Sequence, residues 1–185
     1  MPFSPHLFRR FQKVFVLSLA LTGLGASLPL GEGFTSSLYA TEAATKTESP
    51  SPEQTAAQQY ADRLDEITPY ASKAAESFNT FKTVSSSNRK ALYLALNNVI
   101  VPNYSKFYYE LKKLDPPDGK LTSLHAHYVQ GASLQLQGMQ LIKKSLYAAT
   151  INWTVYKQGQ AKLREGKKEL TLFIDGFKAY RASLK

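Results

Sequence analysis

Apolar side chains at Tyr60, Leu64, Ile67, Ala71, Ala74, Phe78 and Phe81 are spaced alternately four and three residues apart, which lays them along one face of a helix. Ser51-Pro52-Glu53-Gln54 precedes them with a start signature: a hydroxyl to cap, proline where no donor is required, and glutamine three residues after the serine. The polar run Ser85-Ser-Ser-Asn88 ends this helix and offers caps for a second, whose face holds Leu92, Leu96, Val99, Phe107, Leu111 and Leu114. Asp115-Pro-Pro-Asp-Gly119 then favours a turn. A third helix carries Leu121, Leu124, Tyr128, Ala132, Leu136, Met139, Ile142, Leu146 and Ala149 on one side, and a fourth repeats Tyr156, Leu163, Leu170, Phe177 and Leu184 every seventh residue. The break between these two is the weakest, resting on Thr150 to Trp153 with Asn152 as a cap. One continuous rod is the competing expectation.

Segments of about thirty residues make rods near 45 Å, and rods of matched length joined by short links pack as antiparallel neighbours. The expected fold is therefore all-α, an up-down antiparallel four-helix bundle over residues 52–185. No short stretch alternates convincingly between turns, so no strand is required. Gly131, Gly138 and Ser145 stand seven apart on helix three, and Gly159 and Gly166 repeat the interval on helix four. A glycine inside a helix costs about 1 kcal/mol relative to alanine. A regular row of them predicts a tight hairpin in which two backbones approach closely. Pro69 and Pro102 lie at nearly equal distances from the Ser85–Asn88 turn, each removing a backbone hydrogen bond. Counting around the turns brings Gly131, Ala132, Leu172 and Phe173 to their level. This yields two expectations: simple curvature of a long hairpin, or a small apolar pocket lined by Pro69, Pro102, Ala132 and Phe173.

The first forty residues have a different character. Arg9, Arg10 and Lys13 precede the apolar run Val14-Phe-Val-Leu-Ser-Leu-Ala-Leu-Thr-Gly-Leu24, eleven residues long, where a bilayer-spanning helix needs roughly twenty. The breaker-rich Pro29-Leu-Gly-Glu-Gly33 follows. This reads as an export signal cleaved near Ala40, with retention as an uncleaved anchor as the alternative. No transmembrane segment is expected after cleavage. Residues 41–51, rich in Thr, Glu, Ala, Ser and Pro, have no large apolar side chain to bury and read as a flexible linker. The chain contains no cysteine, which excludes disulfides, thiolate catalysis, acylation at cysteine and cysteine-ligated metal.

Candidate chemistry is sparse. His125 and His127 are two apart, so on a helix they point to nearly opposite sides and make a poor metal pair. No Glu-x-x-His pair of the kind that builds carboxylate metal sites in bundles is present, and neither a Gly-x-Ser-x-Gly nucleophile motif nor a Ser-x-x-Lys motif stands in a pocket context. Asp62, Asp65 and Glu66 read as a solvated face. Neither a catalytic residue nor a cofactor is expected. Tyr104, Phe107, Tyr108 and Tyr109 crowd too short an arc for all four to face the core, leaving some for docking or self-association. Asn103-Tyr-Ser105 and Asn152-Trp-Thr154 match the glycosylation acceptor pattern but fall in predicted helical or tight-turn regions.

Charge is the stronger clue. The formal net charge is +9, and +7 without residues 1–40. Residues 41–119 carry nine basic and ten acidic side chains, whereas residues 120–185 carry eleven and three. Lys143 and Lys144 end helix three, and Lys157, Lys162, Arg164, Lys167 and Lys168 open helix four. In a hairpin both sets gather toward one end. Such a patch attracts anions through a long-range, salt-screened field. For an exported chain the candidates are an anionic cell-wall polymer, lipid headgroups or an acidic protein; nucleic acid is not expected. A basic face that merely keeps the protein dispersed is the alternative.

Asp115-Pro-Pro-Asp-Gly-Lys-Leu-Thr-Ser-Leu-His125, followed by Tyr128, the spaced glycines and Leu163-Arg-Glu-Gly166, resembles small exported helical proteins and lipoproteins of Gram-positive bacteria over roughly residues 110–180. The resemblance implies an extracytoplasmic helical bundle and carries no assigned activity. The missing acylated cysteine departs from the lipoprotein members and removes their usual anchor.

Overall fold

The computed structural model describes residues 49–184. Helix α1 spans Pro52–Asn79, α2 Arg89–Ala95, α3 Val101–Leu111, α4 Gly119–Ser145 and α5 Trp153–Ser183. A π-helical turn, Leu96–Ile100, joins α2 directly to α3. Every regular element among the described residues is helical, and α2, the π turn and α3 together make one of four rods. The predicted signal, residues 1–40, and residues 41–48 of the predicted linker lie outside the described residues. Ser49 and Pro50 have no regular structure and are exposed.

The helix starts follow local chemistry. Ser51 Oγ accepts from the Gln54 backbone N–H at 3.1 Å while Gln54 Oε1 accepts from the Ser51 N–H at 2.8 Å, a reciprocal cap that satisfies two donors lacking helical partners. Asp118 Oδ1 accepts from the Leu121 N–H at 2.7 Å and Asn152 Oδ1 from the Val155 N–H at 3.1 Å. The Asn152 cap, together with the Asn152 N–H donating to the Ser145 carbonyl at 2.9 Å, ends the expectation of one continuous rod.

The second rod departs from the predicted pattern. Pro102 has no N–H, so the carbonyl four residues before it loses its helical donor. Just upstream the Val101 N–H bonds the Leu96 carbonyl, which widens the turn by a residue. Asn103 Nδ2 then donates to the Val99 carbonyl at 2.7 Å. The inserted residue shifts the buried face: Leu92, Leu96 and Ile100 are fully buried, and Val99, predicted inside, is only partly covered.

Aromatic rings link the rods. Tyr104 and Phe107 of α3 lie 5.4 Å apart, Phe107 meets Tyr128 of α4 at 5.8 Å, and Tyr128 stacks on Phe173 of α5 at 4.2 Å. Phe173 stacks on Phe177 at 5.4 Å, and Phe177 meets Tyr60 of α1 at 5.9 Å. Edge-to-face and stacked pairs of this kind add about 0.5–1.5 kcal/mol each beyond burial. At the outer rim Lys106 Nζ of α3 sits 4.2 Å above the Tyr70 ring of α1.

The glycine rows bring α4 and α5 together as an antiparallel pair. A Cβ at Gly138 would stand 2.8 Å from the Gly159 carbonyl oxygen, one at Gly159 2.8 Å from the Gly138 carbonyl oxygen, and one at Gly166 2.8 Å from the Gly131 carbonyl oxygen. No side chain fits between backbones this close. Across the same seam Gln135 Nε2 donates to the Leu163 carbonyl at 2.8 Å. Gly138→Ala is therefore expected to lower stability by about 1–2 kcal/mol, overpacking outweighing the gain of about 1 kcal/mol in helix propensity. Gly119→Ala, where nothing stands within 4 Å of the added carbon, is the control. Urea denaturation compares them, and an equal or higher midpoint for Gly138→Ala would contradict the close approach.

Candidate functional site

The basic residues divide by helix geometry. Lys143 and Lys144 occupy the last turn of α4; Lys144 is exposed, and Lys143, partly buried, points its Nζ at Asn97 Oδ1, 3.5 Å away. On α5, Lys157, Arg164 and Lys168 are all exposed, and their spacing of seven and four places them on one outer strip. Lys162 lies on the opposite flank, paired with Glu165 at 2.9 Å, and Lys167 is partly buried at the edge of the packed face. The contact of Gly131 with Gly166 puts Lys167 and Lys168 level with the middle of α4. The structure thus brings Lys143, Lys144 and Lys157 to one end, extends the charge along α5 through Arg164 and Lys168, and leaves Lys162 apart.

Residues 119–164 contain no Asp or Glu, and Glu165 lies one turn from Lys168 at the far end of the basic strip. At the α4–α5 turn it meets two large exposed side chains. Tyr147 is 76% exposed and Trp153 50% exposed. Ala148, Ala149 and Thr150 between them are exposed as well, whereas Ala149 was expected in the core. The turn is held from behind: Arg89, at the start of α2, donates from Nη1 to the Leu146 carbonyl and, at 3.5 Å, to the Tyr147 carbonyl. Tyr93 meets the Tyr147 ring edge-on at 5.9 Å. These aromatic and α2 residues did not enter the expected site; Lys-Lys followed three residues later by Tyr, and a tryptophan just after the cap, were the available signals.

The four residues of the expected apolar pocket do not face one space. Pro69 and Pro102 are exposed on the outer sides of their helices. Ala132 is fully buried, and Phe173 is buried in the aromatic stack on Tyr128 and Phe177. Proline carries its ring where an N–H would otherwise point, and both rings turn to the side where a missing hydrogen bond can be met by water.

The interior holds one conspicuous polar contact. Tyr60 OH lies 2.8 Å from His125 Nδ1 with both residues buried, and the rings meet edge-on at 5.9 Å. Burial lowers the His125 pKa and favours the neutral ring, whose Nδ1 shares one hydrogen bond with the tyrosine hydroxyl. Burial raises the Tyr128 pKa well above its usual value, and the nearby Tyr104, Tyr60 and Asp65 push in the same direction. His127, two residues on, faces the other way and places Nδ1 2.7 Å from Glu169 Oε2. Among the described residues no three His, Asp or Glu side chains converge as metal ligands. None of their helices is long and apolar enough to cross a membrane.

A second polar clasp joins α4 to the end of α5, with Tyr180 OH donating to Asp118 Oδ2. That hydrogen bond lowers the Asp118 pKa, while burial and then the same bond raise Tyr180 to about 12. Comparison with family models, with characterised proteins and with solved structures gives no match to this chain. The resemblance across residues 110–180 rests on its sequence pattern alone.

The His125 environment makes stability pH-dependent. A folded-state pKa below the unfolded value of about 6.5 means that the unfolded chain binds the proton first, so stability is complete above that pH and declines as pH falls toward the folded value. Denaturation midpoints should fall between pH 7.5 and 5, and His125→Gln should flatten that decline. Equal slopes for the two proteins would remove His125 as its source. Likewise, Tyr180→Phe is expected to destabilise by about 1 kcal/mol at neutral pH, an effect that should shrink as acid protonates Asp118, measured by thermal denaturation.

Proposed function

We propose that this chain is an exported, non-enzymatic binding module, folded as an up-down antiparallel four-helix bundle, that acts at the cell envelope through the basic surface of its α4–α5 hairpin. The observation that carries the reading is the exposed strip Lys157, Arg164 and Lys168 continuing to Lys143 and Lys144, most of it within residues 119–164, which contain no acid; Glu165 lies beside its Lys168 end. The up-down arrangement is supported by contacts at both ends: Gln54 Nε2 of α1 donates to the Leu184 carbonyl after α5, and Arg89 of α2 reaches the α4–α5 turn. Export is supported by the basic start, short apolar run and breaker-rich segment of residues 1–40.

Binding rather than catalysis fits the use of the polar groups. His125 is engaged by Tyr60, His127 by Glu169 and Asp118 by its capping role and Tyr180. The surface in turn has the sign and extent to hold an anionic polymer, a headgroup layer or an acidic protein. A soluble poly(glycerol phosphate) chain serves as probe. The protein is expected to be retained on it at low salt and released as salt rises, with Lys157→Gln, Arg164→Gln and Lys168→Gln combined weakening retention about tenfold. Retention insensitive to salt and to the triple substitution would refute the reading.

A further inference from the structure

The end of the hairpin combines two properties that the strip along α5 lacks. Tyr147 and Trp153 are large amphipathic rings held in the open, 76% and 50% exposed, on a turn whose other exposed residues include the small Ala148, Ala149 and Thr150. Tyr and Trp have an apolar body and a polar edge, and they suit the boundary between water and hydrocarbon. The charges surround them at the same height. With a rise of about 1.5 Å per residue, and Gly138 level with Gly159, Lys143, Lys144 and Lys157 lie within about 6 Å of Trp153 along the axis. The adjoining Thr80–Asn88 turn and start of α2 add Lys82, Arg89 and Lys90 against one acid in the last turn of α1, Glu76. Arg89 fixes the turn by bonding two of its carbonyls, so the rings are presented on a braced platform.

We propose that this tip docks on an anionic lipid surface, Tyr147 and Trp153 entering the headgroup layer while Lys90, Lys143, Lys144 and Lys157 pair with lipid phosphates. The inference rests on the reading of the hairpin as an anion-binding surface and names its partner. Anionic headgroups attract lysines near the surface strongly enough that each contributes about fivefold in partitioning, and the attraction fades within a Debye length. Lys144, Lys157 and Lys90 are exposed and already near the rings; Arg164 and Lys168 lie about 16 and 22 Å further along α5 and remain above the surface. An end-on approach therefore uses the tip set and spares the strip.

Trp153 is the only tryptophan of the chain and reports directly. Vesicles of phosphatidylglycerol mixed equally with phosphatidylcholine are titrated with the full-length protein, with phosphatidylcholine vesicles as control. Binding should shift the Trp153 emission to shorter wavelength and make it quenchable by lipids brominated near the headgroup, with anionic vesicles only and reversibly in high salt. In co-sedimentation Tyr147→Ser with Trp153→Ser should reduce partitioning at least tenfold, and Lys144→Gln and Lys157→Gln about fivefold each. All four side chains are exposed, and far-ultraviolet circular dichroism checks that the variants stay folded. The same aromatic variant should bind poly(glycerol phosphate) as the parent does. Unshifted emission, or an aromatic variant that sediments with vesicles like the parent, overturns lipid docking even if polymer binding persists; loss of polymer binding by the parent overturns the broader anion-binding reading instead.

Discussion

The contact on which the rest depends is the close approach of α4 to α5. Where Gly138 faces Gly159 and Gly131 faces Gly166, each backbone occupies the space that a side chain of the other would need. A seam built this way tolerates only one register, because a shift by one residue would drive Leu134, Leu163 or Leu170 into the opposing backbone. That register fixes the height of every other contact. It turns Tyr128 onto Phe173, brings Asp118 within reach of Tyr180, and leaves a short connection on which Tyr147 and Trp153 stay exposed, with edge contacts to Tyr93 and Tyr156. The glycines lose about 1 kcal/mol each of intrinsic helix preference. Dispersion contacts between closely spaced backbones and the Gln135 bond to the Leu163 carbonyl offset the loss.

The other pair of rods is organised differently. α1 continues through Pro69 with Thr68 Oγ1 bonded to the Leu64 carbonyl at 2.8 Å, whereas the rod containing Pro102 yields by opening a π turn. Both prolines end up facing outward, and the interior between them and α4 is filled by Leu, Ile and aromatic side chains. Among the buried polar residues, His125 bonds Tyr60, Ser145 bonds the Ile142 carbonyl at 2.7 Å, and Gln135 donates to the Leu163 carbonyl while its Oε1 has no hydrogen-bond partner.

Much of this was legible in the residue pattern because helix periodicity and capping are local. The Ser51–Gln54 cap, the Asn152 cap and the heptad of Tyr156, Leu163, Leu170, Phe177 and Leu184 need only neighbours in sequence. The glycine intervals were readable too, since their regular spacing has no local benefit. Three features were not legible. The π turn comes just before Pro102, which lacks an N–H, and the residue it inserts puts Ile100 in the core in place of Val99. The direction in which Pro69 and Pro102 face depends on that rotation, and it separates them from Ala132 and Phe173. The exposure of Tyr147 and Trp153 follows from the length of a connection whose ends are set by the glycine seam. Lys162 left the basic group because its position five residues after Lys157 puts it on the other flank of α5, where it pairs with Glu165.

Gln54 at the beginning of α1 bonds the Leu184 carbonyl beyond the end of α5. Tension applied between these two points falls on that clasp first and pulls across the rods rather than along them. The outer helices would then separate turn by turn, like a zip, without having to slide past one another against all their contacts at once. Behind the clasp α5 is held chiefly by α4, so the load next passes to the glycine seam. A protein so arranged yields softly at its joined ends while its braced far end keeps its shape.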